Sequence, residues 1–247
     1  MNRFFLSPSY IVDNTVSFPS DIAHQILRVL RLGKGEQVEV LDNLGHIYYV
    51  SLEIDSHGKN LIGRVNSVGV VDTEPRIQLS LCFGLSNREK VELILQKGTE
   101  IGVSCFYPFV SSRTLVQSTL LSTNKRIRWE KIIREAAEQS RRGRLPILHE
   151  PVDWEQCLGN VQAGHNLCLL AWECAEPQQD ALEHFLLTQK GESIAVMIGP
   201  EGGFSEGEVH MARSHDCKII SLGTRILRME TAAIIFPALI LHEVGEL

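Results

Sequence analysis

The sequence predicts an α/β protein, with a small β-rich N-terminal part followed by a larger domain built on a parallel sheet with helices on both faces. Three observations carry this reading. Residues 37–71 fall into three strand-like runs separated by turn residues. From residue 77 onward, apolar strand-like runs alternate with helical patterns, as in βα units. Near the C-terminal end, two branched apolar runs, 194–198 and 217–222, each lead into a glycine-containing turn and then a helix.

Composition sets the outer bounds. A chain of 247 residues with 44% hydrophobic content holds one large or two modest globular domains. The start, Met1-Asn-Arg-Phe-Phe-Leu-Ser-Pro8, is too short in apolar residues for a secretory signal. The longest apolar run, 232–241, contains Pro237 and is too short to span a bilayer, and the cysteine usage leads to the expectation of a cytoplasmic protein. Cys82, Cys105, Cys157, Cys168, Cys174 and Cys217 include no C-x-x-C pair and lie mostly in apolar runs; buried reduced thiols are expected, and no metal site.

Taken in order, Ser20 is positioned to cap a helix over 21–32, with Ile22, Ile26 and Val29 on its apolar face. His24, Arg28 and Arg31 follow at i, i+4 and i+7 as a basic stripe, either a solvated face or an RNA-binding one. Strands are expected at 37–41, 46–54 and 61–71. The stretches Asp42-Asn-Leu-Gly45 and Ser56-His-Gly-Lys-Asn60 turn them into a meander that curls into a small barrel. A polar linker over 70–75 then separates a domain at 1–72 from one at 73–247. The second opens with a strand at 77–85 and a helix at 89–101 whose Gln96, Lys97 and Glu100 suit a cleft. Gly102 ends that helix, and a strand at 105–110 follows.

Charge is uneven. Residues 125–144 hold eight basic and three acidic side chains, so this stretch carries +5 while the remainder carries −11 of the total −6. Trp129, Ile132, Ile133, Ala136 and Ala137 mark the buried side of a helix. At its end Arg141, Arg142 and Arg144 gather in a loop, either a phosphate footprint or a solvated basic helix end. A strand at 167–171 and a helix at 180–188 continue the alternation, with Trp172 placed in a ligand wall or in the core.

The last fifty residues hold the chemistry. Ile198-Gly-Pro-Glu-Gly-Gly203 is a tight turn whose backbone a ligand can approach, and Ser205 with Glu208 forms a capping box that starts a helix at once. Leu222-Gly-Thr-Arg-Ile-Leu-Arg-Met-Glu-Thr231 follows the next strand. Both turns open on the same side of a parallel sheet, because each follows a strand of the same direction. Neither a Walker loop nor a dinucleotide fingerprint is present.

These two motifs, in this order, resemble the paired signature of the SPOUT-class (trefoil-knot) RNA methyltransferases. The branch they resemble methylates N3 of a uridine in 16S ribosomal RNA. Arg28-Val-Leu-Arg31, the stretch from Gln96 to Val103, and Glu138-Gln-Ser140 with Arg142 and Pro146 are similar to further motifs of that family. The resemblance implies a PUA-like barrel ahead of a knotted parallel domain, a homodimer, S-adenosylmethionine as cofactor, and 16S RNA or the small ribosomal subunit as partner. It implies cofactor contacts from Leu170, Ile198, Gly199, Pro200, Gly202, Leu222, Gly223, Ile226 and Leu227, and RNA contacts from Arg28, Arg31, Arg141, Arg142 and Arg144.

Methyl transfer from a sulfonium needs positioning and removal of the N3 proton rather than a metal. Arg228 or Arg113 is placed to stabilise charge on the uracil oxygens, and Glu201 and Glu230 are the carboxylates near enough to serve as base. The chain departs from the family pattern at Gln25, where a histidine is usual, at Ser112, where an acid is usual, and at Arg141, where a glycine is usual. Two other readings are a ribose 2′-O methyltransferase of the same class and a non-catalytic RNA-binding assembly factor.

Overall fold

The computed structural model describes residues 1–55, 60–116, 118–175 and 193–247, so the helix expected at 180–188 and most of the turn at 56–60 lie outside the described residues. The chain divides into two compact units: Met1–Glu74 with Ala137–Leu145, and Pro75–Ala136 with Pro146–Leu247.

The first unit is built on a six-stranded sheet. Strands β1 (Asn2–Phe5), β2 (Ile11–Val12), β3 (Thr15–Ser17), β4 (Gln37–Leu41), β5 (His46–Ile54) and β6 (Leu61–Val70) lie in the order β1-β4-β5-β6-β3-β2. β1 runs parallel to β4 and the other neighbours are antiparallel. The expected meander is therefore present, with three short strands added at its margins. Their two to four residues are too few to show an alternating pattern, yet Phe4 and Val16 are fully buried in the core beneath the sheet. Asp42 organises the β4–β5 turn, accepting hydrogen bonds from the backbone amides of Leu44 (2.7 Å) and His46 (3.1 Å).

The helix expected at 21–32 is shorter and interrupted. Helix α1 covers Ser20–His24, starting after Pro19 with no side-chain cap, and a π-helical turn follows over Gln25–Val29. A π turn adds residues per turn, so the neighbour below Ile26 is Leu30 rather than Val29. Ile26, Leu30 and Leu32 accordingly pack into the core, while Val29 is 66% exposed. The basic stripe is broken with it. Arg28 is exposed on the π turn, and Arg31 lies beyond it at φ 56°.

Residues 137–145, which the linker at 70–75 leaves in the second domain, are packed into the first unit. Ala137 and Leu145 lie against Phe5, Leu41 and Val71. The Glu138 carboxylate accepts from the Phe5 amide (3.2 Å), and Asn43 Oδ1 accepts from the Leu145 amide (2.6 Å). These partners stand about a hundred residues away in sequence, beyond the reach of any local pattern.

The second unit is organised around a parallel sheet. Strands β7 (Gln78–Gly84), β8 (Cys105–Val110), β9 (Ile147–Leu148), β10 (Val152–Asp153), β11 (Leu167–Ala171), β12 (Ser193–Ile198) and β13 (Lys218–Ile220) run in the order β10-β8-β7-β12-β11-β13, with β9 also paired to β8. Every pairing is parallel. Helices α2 (Arg88–Ile101), α3 (Thr123–Gln139, its part up to Ala136), α4 (Trp154–Gly164), α5 (Glu206–Ser214) and α6 (Met229–Glu243) complete it.

Alternation along the strands feeds two apolar layers. Leu79, Leu81, Phe83, Leu169 and Val196 point to one, with Ile94 of α2, Trp129 of α3 and Phe236 of α6. Cys82, Leu170, Ala195 and Met197 point to the other, with Trp154 of α4 and Val209 of α5. Cys157, Cys168 and Cys217 lie in that second layer, and all six cysteines are free thiols, with Cys174 exposed. Among the described residues no helix is long and apolar enough to cross a membrane.

Candidate active site

Ala171 at the end of β11 is level with Ile198 of β12 on one side and Ile220 of β13 on the other. Three chain segments therefore leave the sheet at one edge: Trp172–Glu173, the glycine turn 199–204, and the stretch 222–229. In parallel α/β sheets ligands bind outside the carboxyl ends of the strands. Here those ends enclose a cavity of about 390 Å³. Ile198, Leu222, Leu227, Met229 and Ala232 give it an apolar lining, and Lys90, Glu173, Glu201, Arg225 and Arg228 add charge.

The glycine turn is held from several sides. Gly203 donates its amide to Pro200 O (2.9 Å) and has φ 67°, and a Cβ there would stand 2.5 Å from Glu173 Oε1. Pro200 rests on the end of β7, where a Cβ on Gly84 would lie 2.6 Å from the Pro200 nitrogen. Arg113 Nη1 donates to Gly202 O (3.1 Å) and Phe204 O (3.2 Å). The capping box at the start of α5 is formed, with Ser205 N donating to Glu208 Oε2 (2.8 Å) and Glu208 N to Ser205 Oγ (3.3 Å). Glu208 Oε1 also accepts from the Ser112 amide (2.8 Å), which ties the loop after β8 to α5 without the acid that the family usually carries there.

At the other end of the cavity the Glu201 carboxylate accepts from the Ser86 hydroxyl and pairs with Lys90 Nζ (3.3 Å). Lys90 Nζ also lies 3.5 Å from Glu230 Oε2, a buried oxygen that receives no hydrogen bond. Burial raises the Glu201 pKa, but the hydrogen bonds from Ser86, its own backbone amide and Lys90 outweigh burial and hold it below the ordinary carboxylate value.

A family model for an RNA methyltransferase domain matches residues 73–241. The ribosomal RNA small subunit methyltransferase E of Bacillus subtilis is 33% identical over 223 residues, covering 88% of this chain and 86% of that protein. The chain belongs to the ribosomal RNA small subunit methyltransferase E family. The Synechocystis member is also 33% identical, over 93% of this chain and 74% of its own length. The crystal structure of the Neisseria gonorrhoeae member, bound to S-adenosyl methionine, superposes with a TM-score of 0.85 at 26% identity, covering 98% of this chain and 97% of that one.

In this methyltransferase most residues expected at the cofactor site are together. Ile198, Gly199, Pro200, Gly202, Leu222, Gly223, Ile226 and Leu227 line the cavity, as do Glu201 and Arg228. Leu170 does not: its side chain is in the apolar layer, and the wall begins one residue later at Ala171. Arg113 is absent from the wall and is spent on the carbonyls of the glycine turn. Glu230 stands behind Lys90 rather than on the lining. Trp172 is on the wall and also packs on the second apolar layer, so both alternatives hold.

Sequence reasoning missed Lys90, Glu173 and Arg225. Arg225 sits inside the quoted motif, so its position was available. Lys90 follows β7, more than a hundred residues before Glu201, with nothing local to mark it.

The arginines divide. Arg28, Arg31, Arg141 and Arg144 are exposed in the first unit. Arg142 is only 4% exposed there and lies on Glu74, donating from Nη2 (2.6 Å) and Nε (3.2 Å) to Oε2, so it is not available as a free phosphate contact. Arg141 takes φ 63°, the left-handed conformation that suits the glycine more usual there. The excess charge of α3 is also largely matched. Arg126 pairs with Glu130 and Glu150, Arg128 with Glu92 and Lys131 with Glu135, while Lys125 sits over the Trp129 ring.

Proposed function

We propose that this chain transfers the methyl group of S-adenosylmethionine to N3 of a uridine in 16S ribosomal RNA. The observation that carries the reading is the cavity at the level ends of β11, β12 and β13, built from the two glycine turns. Its volume lies in the range of small-ligand sites, about 300–1,000 Å³. Its apolar side suits adenine, its turn backbones suit the polar edges of an adenosine, and its carboxylates suit a cation, so the residues present fit the cofactor. When bound, the cofactor supplies an electrophilic methyl on a sulfonium.

The chain's own residues position the base and handle its proton. Arg228 lies on the wall and its side chain, among the described residues, makes no hydrogen bond or ion pair, so its guanidinium is available to uracil O2 or O4 as negative charge develops. Arg113 holds the turn and acts on the substrate, in this reading, only through it. Ser86 and Lys90 keep Glu201 charged, which makes it a weak base. Glu230 shares the same Lys90 and stands off the lining, so neither carboxylate is singled out as acceptor of the N3 proton.

The rest of the assignment is proposed on the same basis. The first unit is read as a PUA-like RNA-binding barrel in which Arg28, Arg31, Arg141 and Arg144 meet phosphate. The second is read as a trefoil-knotted catalytic domain in a cytoplasmic homodimer. Isothermal titration with S-adenosylmethionine is expected to give one site per chain, and digestion of treated small subunits is expected to yield 3-methyluridine. Methyl found on a ribose hydroxyl would replace the base assignment. RNA binding without cofactor binding would leave a non-catalytic factor.

A further inference from the structure

We propose that Lys90 is a positioning residue of the cofactor cavity, its ammonium tying Glu201 of the glycine turn to Glu230 of α6 and fixing both carboxylates beside the cavity. This rests on the cofactor reading above and adds a residue that no motif marks. Four elements converge on the group: the end of β7 brings Ser86, the first turn of α2 brings Lys90, the glycine turn brings Glu201 and the first turn of α6 brings Glu230. Both carboxylates lie within 3.5 Å of one nitrogen. Without that cation two like charges would face each other across a partly buried gap, and one of them would take up a proton. The other charged groups on the cavity wall are Glu173, Arg225 and Arg228.

Lys90 is well placed for this task because its backbone is fixed independently of its side chain. Its amide donates to the Asn87 cap of α2 (3.1 Å), a bond that any substitution keeps. The side chain is 25% exposed, so an unbranched apolar replacement fits without a buried void. An ammonium between the two walls does two things. It sets the spacing of the glycine turn and α6, and it leaves the pair with one net negative charge to face a sulfonium.

The test is titration of full-length protein with S-adenosylmethionine from pH 5.5 to 8.5, on wild type, Lys90→Met, Lys90→Arg and the double variant Lys90→Met/Glu230→Gln. Circular dichroism serves as the folding check. Lys90→Met is expected to bind about tenfold more weakly at pH 7.5, because losing the set spacing of the glycine turn and α6 outweighs the added negative charge. Lys90→Arg, which keeps the charge, is expected to stay within about threefold of wild type. Wild-type affinity should be flat in pH. That of Lys90→Met should fall further toward the acid end of that range, because two carboxylates left without their shared cation take up a proton and lose a charge that favours the cation.

The double variant has one carboxylate left and should lose this acid dependence. Lys90→Arg as weak as Lys90→Met, or a Lys90→Met affinity flat in pH, would overturn the assignment. Wild type binding no cofactor would sink the functional reading itself, whereas normal binding by wild type and Lys90→Met alike would sink this inference alone.

Discussion

Arg228 stands just before α6 with an extended backbone, exposed on the cavity wall. If it stabilises charge on the uracil, Arg228→Ala should lower turnover by about 10²-fold while RNA affinity changes far less. Single-turnover methylation beside filter binding separates the two. The loop arginines should behave in the opposite way. Arg141→Ala and Arg144→Ala should each reduce the salt slope of log K by about 0.7–0.9 and leave cofactor binding alone.

Arg142 belongs to neither class. Removing it leaves the Glu74 carboxylate with only the Gly143 and Arg144 amides and no counter-charge, and Arg142→Ala is expected to cost about 3 kcal/mol in urea unfolding. Arg141→Gly, relieving a left-handed non-glycine residue, should return about 1 kcal/mol. In sequence these three arginines look alike. The difference between them is set by Glu74, 68 residues earlier, and a contact of that span leaves no trace in local pattern. The glycine motifs were legible for the opposite reason, since their conformation is demanded by residues adjacent in the chain.

The start of α5 shows how an element holds the turn before it. Burial works against the charge of Glu208, but hydrogen bonds from Ser205 and Ser112 outweigh it and hold its pKa below the ordinary 4.5. A depressed folded pKa means that this carboxylate contributes stability above the unfolded value and loses it as pH falls through the folded one. Unfolding free energy should therefore decline below about pH 4.5, and Glu208→Gln should flatten part of that decline. At neutral pH the same variant should be less stable by about 1–2 kcal/mol, since it weakens both the cap and the tie to the loop after β8.

Elements of this kind were readable because strand alternation, capping residues and Gly102 are local signals. Strands β4, β5, β8 and β11 fall on their expected residues. The π turn was not readable. Its composition permits an α-helix throughout, and the departure is decided by which leucines reach the core, with Leu30 and Leu32 packed and Val29 left outside.

At the scale of the molecule, the first unit draws on two separated stretches of chain, so a deletion of residues 1–72 does more than remove a domain. It strips Phe5, Leu41 and Val71 from Ala137 and Leu145. Such a deletion is expected to abolish RNA binding and speed hydrogen exchange over 137–145, with S-adenosylmethionine affinity retained. Unchanged RNA affinity would contradict the assignment of RNA contacts to the first unit. The polar linker over 70–75 is a local signal, and the units divide within it after Glu74, whereas the return of 137–145 depends on pairings far apart in sequence.

The order of the parallel strands has a kinetic consequence. β12 is synthesised after β7 and β11 yet lies between them, in register with both. A nascent chain that ends before residue 193 holds two strands that cannot pair with each other, each with an open edge turned to a gap. The half of the cavity that β11 contributes then has no opposite wall. Folding of this unit must wait for a late strand to be inserted across a long separation, which predicts slow refolding and leaves no partial chain able to be rescued by cofactor. For such a chain the interval between emergence of β11 and arrival of β12 is when aggregation competes, and a chaperone that shields those two edges would do more for yield than any stabilising contact in the finished fold.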